Sequence, residues 1–232
     1  MKKVLSLLIL LILPTFTTAS DFHPEVKEEL EKENFWADIN FESGSTSTVT
    51  EFRVWFEHPA EKVFRVLIDT NNFPQVHNNY EDAAILTKDA FDALVKAKPA
   101  NIEALAPLIK DEKIPSESGR ESGGKWTRYE YVNFNFPWPL SNRWSVQKAE
   151  IDESGAATNQ YRYEYVMYVG NFEVLKGYWE LVPVADKPGI TEFRGSYISD
   201  PGIPLPKFIT KTATKTGLKR DVEDNRKILA NK

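Results

Sequence analysis

Five runs of the chain, KWTRYEYVNF (125–134), RWSVQKAEI (143–151), QYRYEYVMYV (160–169), EVLKGYWELV (173–182) and TEFRGSYIS (191–199), follow one another with short connections. Each is rich in aromatic and β-branched residues, which suit a pleated, half-buried surface. Turn residues such as Glu153-Ser154-Gly155 and Lys187-Pro188-Gly189 separate them, a spacing that predicts an antiparallel meander. The next stretch is strand-poor: from Leu205 to Leu229, Phe208, Ile209, Thr212, Leu218, Val222 and Ile228 trace one long helix, charged from Lys219 onward. A sheet can cover such a helix only by curling around it, and a long helix held in a bent sheet leaves a cavity between the two.

Working back toward the N-terminus, Ser116 to Gly124 is a Ser/Gly-rich linker. Before it, Asp89 to Ala97 and Ile102 to Lys110 form two helical stretches parted by Pro99, and a helical hairpin inserted between strands is the simplest account. Asp82 to Leu86 reads as a strand, and Phe73-Pro74 opens a short helical turn. Pro59 suits the start of a helix running to about Ile68, with Val63, Phe64 and Leu67 on one side. Thr50 to Glu57 alternates, with Phe52, Val54 and Phe56 on one face, and is the first strand. The expected fold is therefore α+β, a curved antiparallel sheet of about seven strands around a long C-terminal helix, with a helical insertion at about 87–122.

Residues 20–46 read as a helical extension, a short amphipathic helix from Asp21 to Asn34, with Val26, Leu30 and Phe35 at near-helical spacing, and then a loop around Gly44. At the start of the chain, Lys2 and Lys3 precede an apolar run from Val4 to Leu13 that only Ser6 interrupts. Such a run is too short to span a bilayer and has the form of a secretory signal peptide, residues 1–19, cleaved after Ala19 or Ser20. An uncleaved N-terminal anchor is the other reading. No cysteine follows that could carry a lipid anchor, so the mature protein is expected to be periplasmic or secreted, and the short lysine-led leader suggests a bacterium.

Composition narrows the chemistry. With no cysteine there are no disulfides, zinc–thiolate sites or thiol nucleophiles. The net charge is −5 and there is no basic cluster, which argues against nucleic acid as a partner. His23, His58 and His77 stand in no metal-ligand spacing, and no Gly-rich phosphate loop or serine elbow is present. No catalytic residue, metal or cofactor is assigned. Aromatics make up 12% of the chain, either as ordinary sheet residues or as the lining of a pocket for an apolar guest.

Three stretches together resemble the START lipid-transfer superfamily, the helix-grip fold shared with polyketide cyclases and coenzyme Q-binding proteins. They are His58-Pro59-Ala60-Glu61-Lys62-Val63-Phe64 with Leu67, Asp69 and Phe73-Pro74; Pro137-Trp138-Pro139-Leu140-Ser141-Asn142-Arg143; and Ser199-Asp200-Pro201-Gly202-Ile203-Pro204 with Phe208. The likeness covers roughly Ser47 to Lys227, within a START-like domain taken as 47–232. Where relatives carry an Arg-Asp pair, Arg143 is followed by Trp144, and a basic partner for Glu130 would fall near Ala149. The resemblance implies that Trp126, Glu130, Val132, Arg143, Gln147, Phe193 and Tyr197 face the cavity, with Phe208 above them from the helix. Tyr163, Tyr165, Met167 and Trp179 join this set. A register slip of one residue would turn each to the opposite face. A buried Glu130 and Arg143 would either bind each other or hold a polar ligand head.

The resemblance implies a non-catalytic protein that carries or senses a lipid or other hydrophobic small molecule, in transient contact with a membrane. Entry would lie beside the Gly202-Ile203-Pro204 loop. Two other readings stay open, a cyclase or dehydratase acting on a polyketide-like substrate, and an interaction module with a filled core whose protein partner is unknown. The hairpin is left as either a lid or a docking surface.

Overall fold

The computed structural model describes residues 24–110, 112–136 and 141–231. The leader and its cleavage site, and Pro137 to Leu140 of the second resembling stretch, lie outside the described residues.

Nine antiparallel strands form one sheet in the order β1-β2-β9-β8-β7-β6-β5-β3-β4. The meander supplies β5 (Lys125–Phe134), β6 (Arg143–Asp152), β7 (Tyr161–Gly170), β8 (Val174–Pro183) and β9 (Thr191–Asp200), each paired with the next as expected. β9 continues onto β2 (Thr48–Phe56), and β5 onto β3 (Tyr80–Leu86) and the two-residue β4 (Lys113–Ile114). The helical extension at 20–46 has its helix where Asp21 to Asn34 predicts one, but a strand follows that this reading lacks. Helix α1 (Pro24–Glu33) stops at Asn34, whose φ of 52° reverses the chain, and β1 (Phe35–Phe41) then pairs along β2 with Phe35, Ala37 and Ile39 buried. Phe35 thus belongs to a period of two, and β1 and β4 raise the strand count from about seven to nine.

The two faces of the sheet are covered by different elements. On one lie α2 (Ala60–Leu67) and the long α6 (Lys207–Asn231), which bury Phe64, Val66, Val222 and Leu229 against Phe52, Phe56, Trp126, Ile151, Tyr161 and Leu181. Helix α2 starts after Pro59, and its apolar residues at 60, 63, 64 and 67 point one way, so that Phe64 stacks on Tyr161 with ring centroids 4.5 Å apart. On the other face sits the inserted hairpin, α4 (Lys88–Ala97) and α5 (Ile102–Ile109), with Thr87 and Asn101 capping the two N-termini. Phe91, Leu94, Leu105 and Ile109 close over Leu86, Tyr131, Trp144, Val146 and Val169. The hairpin is therefore a buttress on the back of the sheet, away from the helix-gripping face, and not a lid.

Two local features set the register. Between β6 and β7 a bulge at Tyr168 lets Val146 pair with Val169 while Gln147 pairs with Met167, so Val169 joins the hairpin face and Tyr163 and Tyr165 face inward. Between β8 and β9, Gly195 leaves no room for a Cβ, which would stand 2.3 Å from the Tyr178 carbonyl and 2.9 Å from the Phe52 ring. Large rings lie against this bare backbone, with Phe52 and Phe193 4.8 Å apart.

Candidate functional site

Between α6 and the sheet is a cavity of about 360 Å³, within the ~300–1,000 Å³ range usual for small-molecule sites. Its sheet wall includes Phe52, Val132, Phe134, Tyr165, Trp179, Phe193 and Tyr197. Leu67, Thr70, Phe73 and His77 close one side, the last two on and just after α3 (Phe73–Val76). At the other end are Phe136, Phe172, Pro201 and Leu205, on the loops that meet the start of α6. The helix contributes Thr210, Ala213, Thr214, Gly217, Leu218, Asp221, Val222 and Asn225, a 3–4-residue spacing that marks one face.

Of the residues expected at the cavity, Glu130, Val132, Gln147, Tyr163, Tyr165, Trp179, Phe193 and Tyr197 line it. Four do not. Trp126 is buried in the core beyond it, where its indole donates to Glu153 Oε1 at 2.9 Å. Met167 lies opposite Gln147, but its sulfur turns toward the bare backbone of Gly170. Arg143 is at the rim, its Nε donating to the Pro201 carbonyl at 2.6 Å, and so ties the start of β6 to the loop before α6. Phe208 is 71% exposed, because it falls outside the 210, 213, 214, 217 series that faces the cavity.

Glu130 and Arg143 therefore do not meet. The cation beside Glu130 is Arg128, two residues earlier on the same strand, where alternation brings both side chains to one face. Both residues are 2% exposed. Arg128 also donates to the Ile68 carbonyl at 2.7 Å and to Thr70 Oγ1 at 3.1 Å. Glu130 accepts from Gln147 Nε2 at 3.0 Å and from the Tyr163 hydroxyl at 2.7 Å. Burial, then the charge of Glu130, raises the Tyr163 phenol well above its ordinary range, so Tyr163 is a donor at any working pH. The ring of Trp179 stacks on Tyr163 at 4.8 Å.

A second polar group occupies the helix side, on residues that no local pattern marked. Asp221 Oδ1 accepts from Asn79 Nδ2 at 2.8 Å and lies 3.8 Å from His77 Nδ1. Burial pushes the Asp221 carboxyl up to about 7, against the hydrogen bond from Asn79. Burial also lowers His77, with Asp224 opposing, so at neutral pH the 3.8 Å approach joins a neutral imidazole and is not an ion pair. Phe73, His77 and Tyr80 form an aromatic cluster here, their ring centroids 5.0–5.6 Å apart. Among the described residues, no three His, Cys, Asp or Glu side chains gather as metal ligands.

Residues 56–225 match the family described as polyketide cyclase / dehydrase and lipid transport. No curated protein matches the chain. Among solved structures, the fold is similar to the STAR-related lipid transfer protein from Xanthomonas axonopodis (TM-score 0.59, 16% identity), with 85% of this chain and 94% of that one covered. It is also similar to the lipid transfer and protein localization domain of human StarD13 (TM-score 0.52, 11% identity, 88% and 92% covered). A START superfamily protein from Mycobacterium smegmatis gives a TM-score of 0.50 at 13% identity, with 79% and 97% covered. At these identities the likeness speaks for the helix-grip architecture, a curved antiparallel sheet around a long C-terminal helix.

Proposed function

Because the chain belongs to the polyketide cyclase / dehydrase and lipid transport family, we propose that it encloses a lipid or other hydrophobic small molecule in this cavity and carries or senses it without chemical change. The observation that carries the reading is the unfilled space between α6 and an aromatic sheet wall. Apolar area removed from water there contributes roughly 25 cal/mol per Å², enough to retain a guest with no covalent step. The ligand domain is taken as residues 47–232 after the signal peptide and N-terminal extension, and the site of action as the periplasm or the cell exterior, where a lipid crossing water needs a shell.

Entry is assigned to the end where Phe136, Phe172, Pro201 and Leu205 meet the first turns of α6. Phe208 and Ile209 are exposed beside it, with Lys207 and Lys211 also exposed, a pairing of apolar and basic side chains that suits brief contact with an anionic membrane surface. To test the carrier, purified protein is extracted with solvent for co-purifying ligand and titrated with a fluorescent sterol. Ala213→Trp, which fills the space from the helix side, should abolish the titration while leaving the circular dichroism spectrum intact. An empty protein that takes up neither sterol nor fatty acid would overturn the reading.

One observation favours an enzyme of the cyclase or dehydratase kind, the Tyr163 hydroxyl and Glu130 carboxylate 2.7 Å apart at the cavity wall. Tyr163→Phe separates the two readings: a carrier keeps its ligand affinity within a fewfold, whereas an enzyme loses turnover of a polyketide-like substrate.

A further inference from the structure

The cavity's two polar groups differ in how their charge is met. On the sheet side, Glu130 is matched by Arg128 and by donors from Tyr163, Gln147 and Thr70. On the helix side, Asp221 is hydrogen bonded by Asn79 and Tyr80, both neutral, and its single basic side chain at ion-pair distance among the described residues is His77, whose imidazole is neutral. The Asp221 side chain is 26% exposed and lines the cavity, so part of its carboxyl surface opens onto the space a ligand would fill.

Beside it, two more lining side chains are incomplete. Asn225, one turn further along α6 and 6% exposed, leaves Oδ1 with no hydrogen-bond partner, and His77, 5% exposed, leaves Nδ1 without one. A buried polar atom left unpaired forfeits its hydrogen bonds to water and gains nothing in exchange. Phe73 and Tyr80, ring centroids 5.0 Å apart, line the same cavity and pack with His77. Among the described residues that line the cavity, none is a hydrogen-bond donor carrying positive charge. A fatty-acid carboxylate would bring a like charge to Asp221, and a neutral hydroxyl would supply a donor but leave the carboxylate uncompensated in an apolar surround.

We propose that His77, Asp221 and Asn225 form a head-group subsite for a protonated amine, and that the guest is an amphiphile with a basic nitrogen on a hydrocarbon body. The nitrogen donates to Asp221 and Asn225 and rests near the aromatic rings, which favour a cation over a neutral group. This deepens the carrier reading and rests on it.

The test is a calorimetric comparison at pH 8 of three probes with the same tail, dodecylamine, 1-dodecanol and dodecanoate, on the full-length mature protein. Dodecylamine should bind at least tenfold more tightly than dodecanoate, with dodecanol between them, as expected for one charge-assisted hydrogen bond. In Asp221→Asn that preference should shrink to about twofold while dodecanol affinity stays the same, because the asparagine still accepts from Asn79. Asn225→Asp, which adds a carboxylate, should widen the preference. Dodecanoate binding as tightly as the amine, or an amine preference indifferent to both substitutions, would overturn the subsite and leave the cavity reading standing. Failure of all three probes to bind would overturn the cavity reading and this proposal with it.

Discussion

Arg128 and Glu130 face each other from inside the sheet wall with almost no solvent around them, and removing one partner strands a charge in an apolar surround. Arg128→Met should therefore cost about 3–5 kcal/mol in urea unfolding, whereas the double variant with Glu130→Leu should recover much of that loss. Asp221 behaves in the opposite way. Its folded pKa of about 7 lies above the ordinary value of 3.8, so its share of stability is intact at low pH and is lost as pH rises from about 4 through 7. The charge of Asp224 pushes this carboxyl the same way as burial, and together they outweigh Asn79, Arg220 and Tyr80, which favour the carboxylate. Asp221→Asn removes the penalty, so its gain in Tm over the wild type should be larger at pH 8 than at pH 5. Equal gains at the two pH values would contradict the assignment. Glu130 is legible through the START resemblance, which puts a basic partner near Ala149 on the next strand, whereas the partner, Arg128, stands at i−2 on the same one. Asp221 carried no local sign, since its meaning depends on His77 and Asn79, roughly 140 positions away and brought to it only by the fold.

Helix α6 lines the cavity from Thr210 to Asn225, but its buried residues, Val222, Asp224, Asn225 and Leu229, all fall in its second half, and its first half offers the cavity Thr210, Ala213 and Thr214. Small and polar residues opposite an empty space give no apolar stripe, so reading the helix by its large hydrophobics put Phe208 inside when it stands outside. The hairpin was the reverse case. Leu94, Leu105 and Ile109 pack on a solid sheet face, and both helices were legible to within a residue or two. What sequence left open was which face they cover, a matter of topology. Leu94→Ala should destabilise the protein by about 2–5 kcal/mol without changing the dissociation constant of a cavity ligand, because the sheet separates the two. A ligand affinity that fell in step with stability would show that the two faces are coupled.

For the molecule as a whole, the meander from Lys125 to Asp200 was the readable part, because its partners are neighbours in the chain and turn residues punctuate it. β1 was not, since Val26, Leu30 and Phe35 run at near-helical spacing, and only docking on β2 decides between the two periods. The seam between β2 and β9 joins parts of the chain that are far apart, with Thr48 and Ser199 hydrogen bonded across 151 positions. Contacts so distant carry the largest loop-closure entropy, so the meander should order first and this seam last. Val54→Ala, buried on β2, should then hasten unfolding and leave the refolding rate almost unchanged, and a slowed refolding limb would reverse that order. If that order holds, the aromatic wall of β7, β8 and β9 would stand complete before β2 extends it, leaving a newly made chain a greasy surface that a guest could meet before the pocket exists.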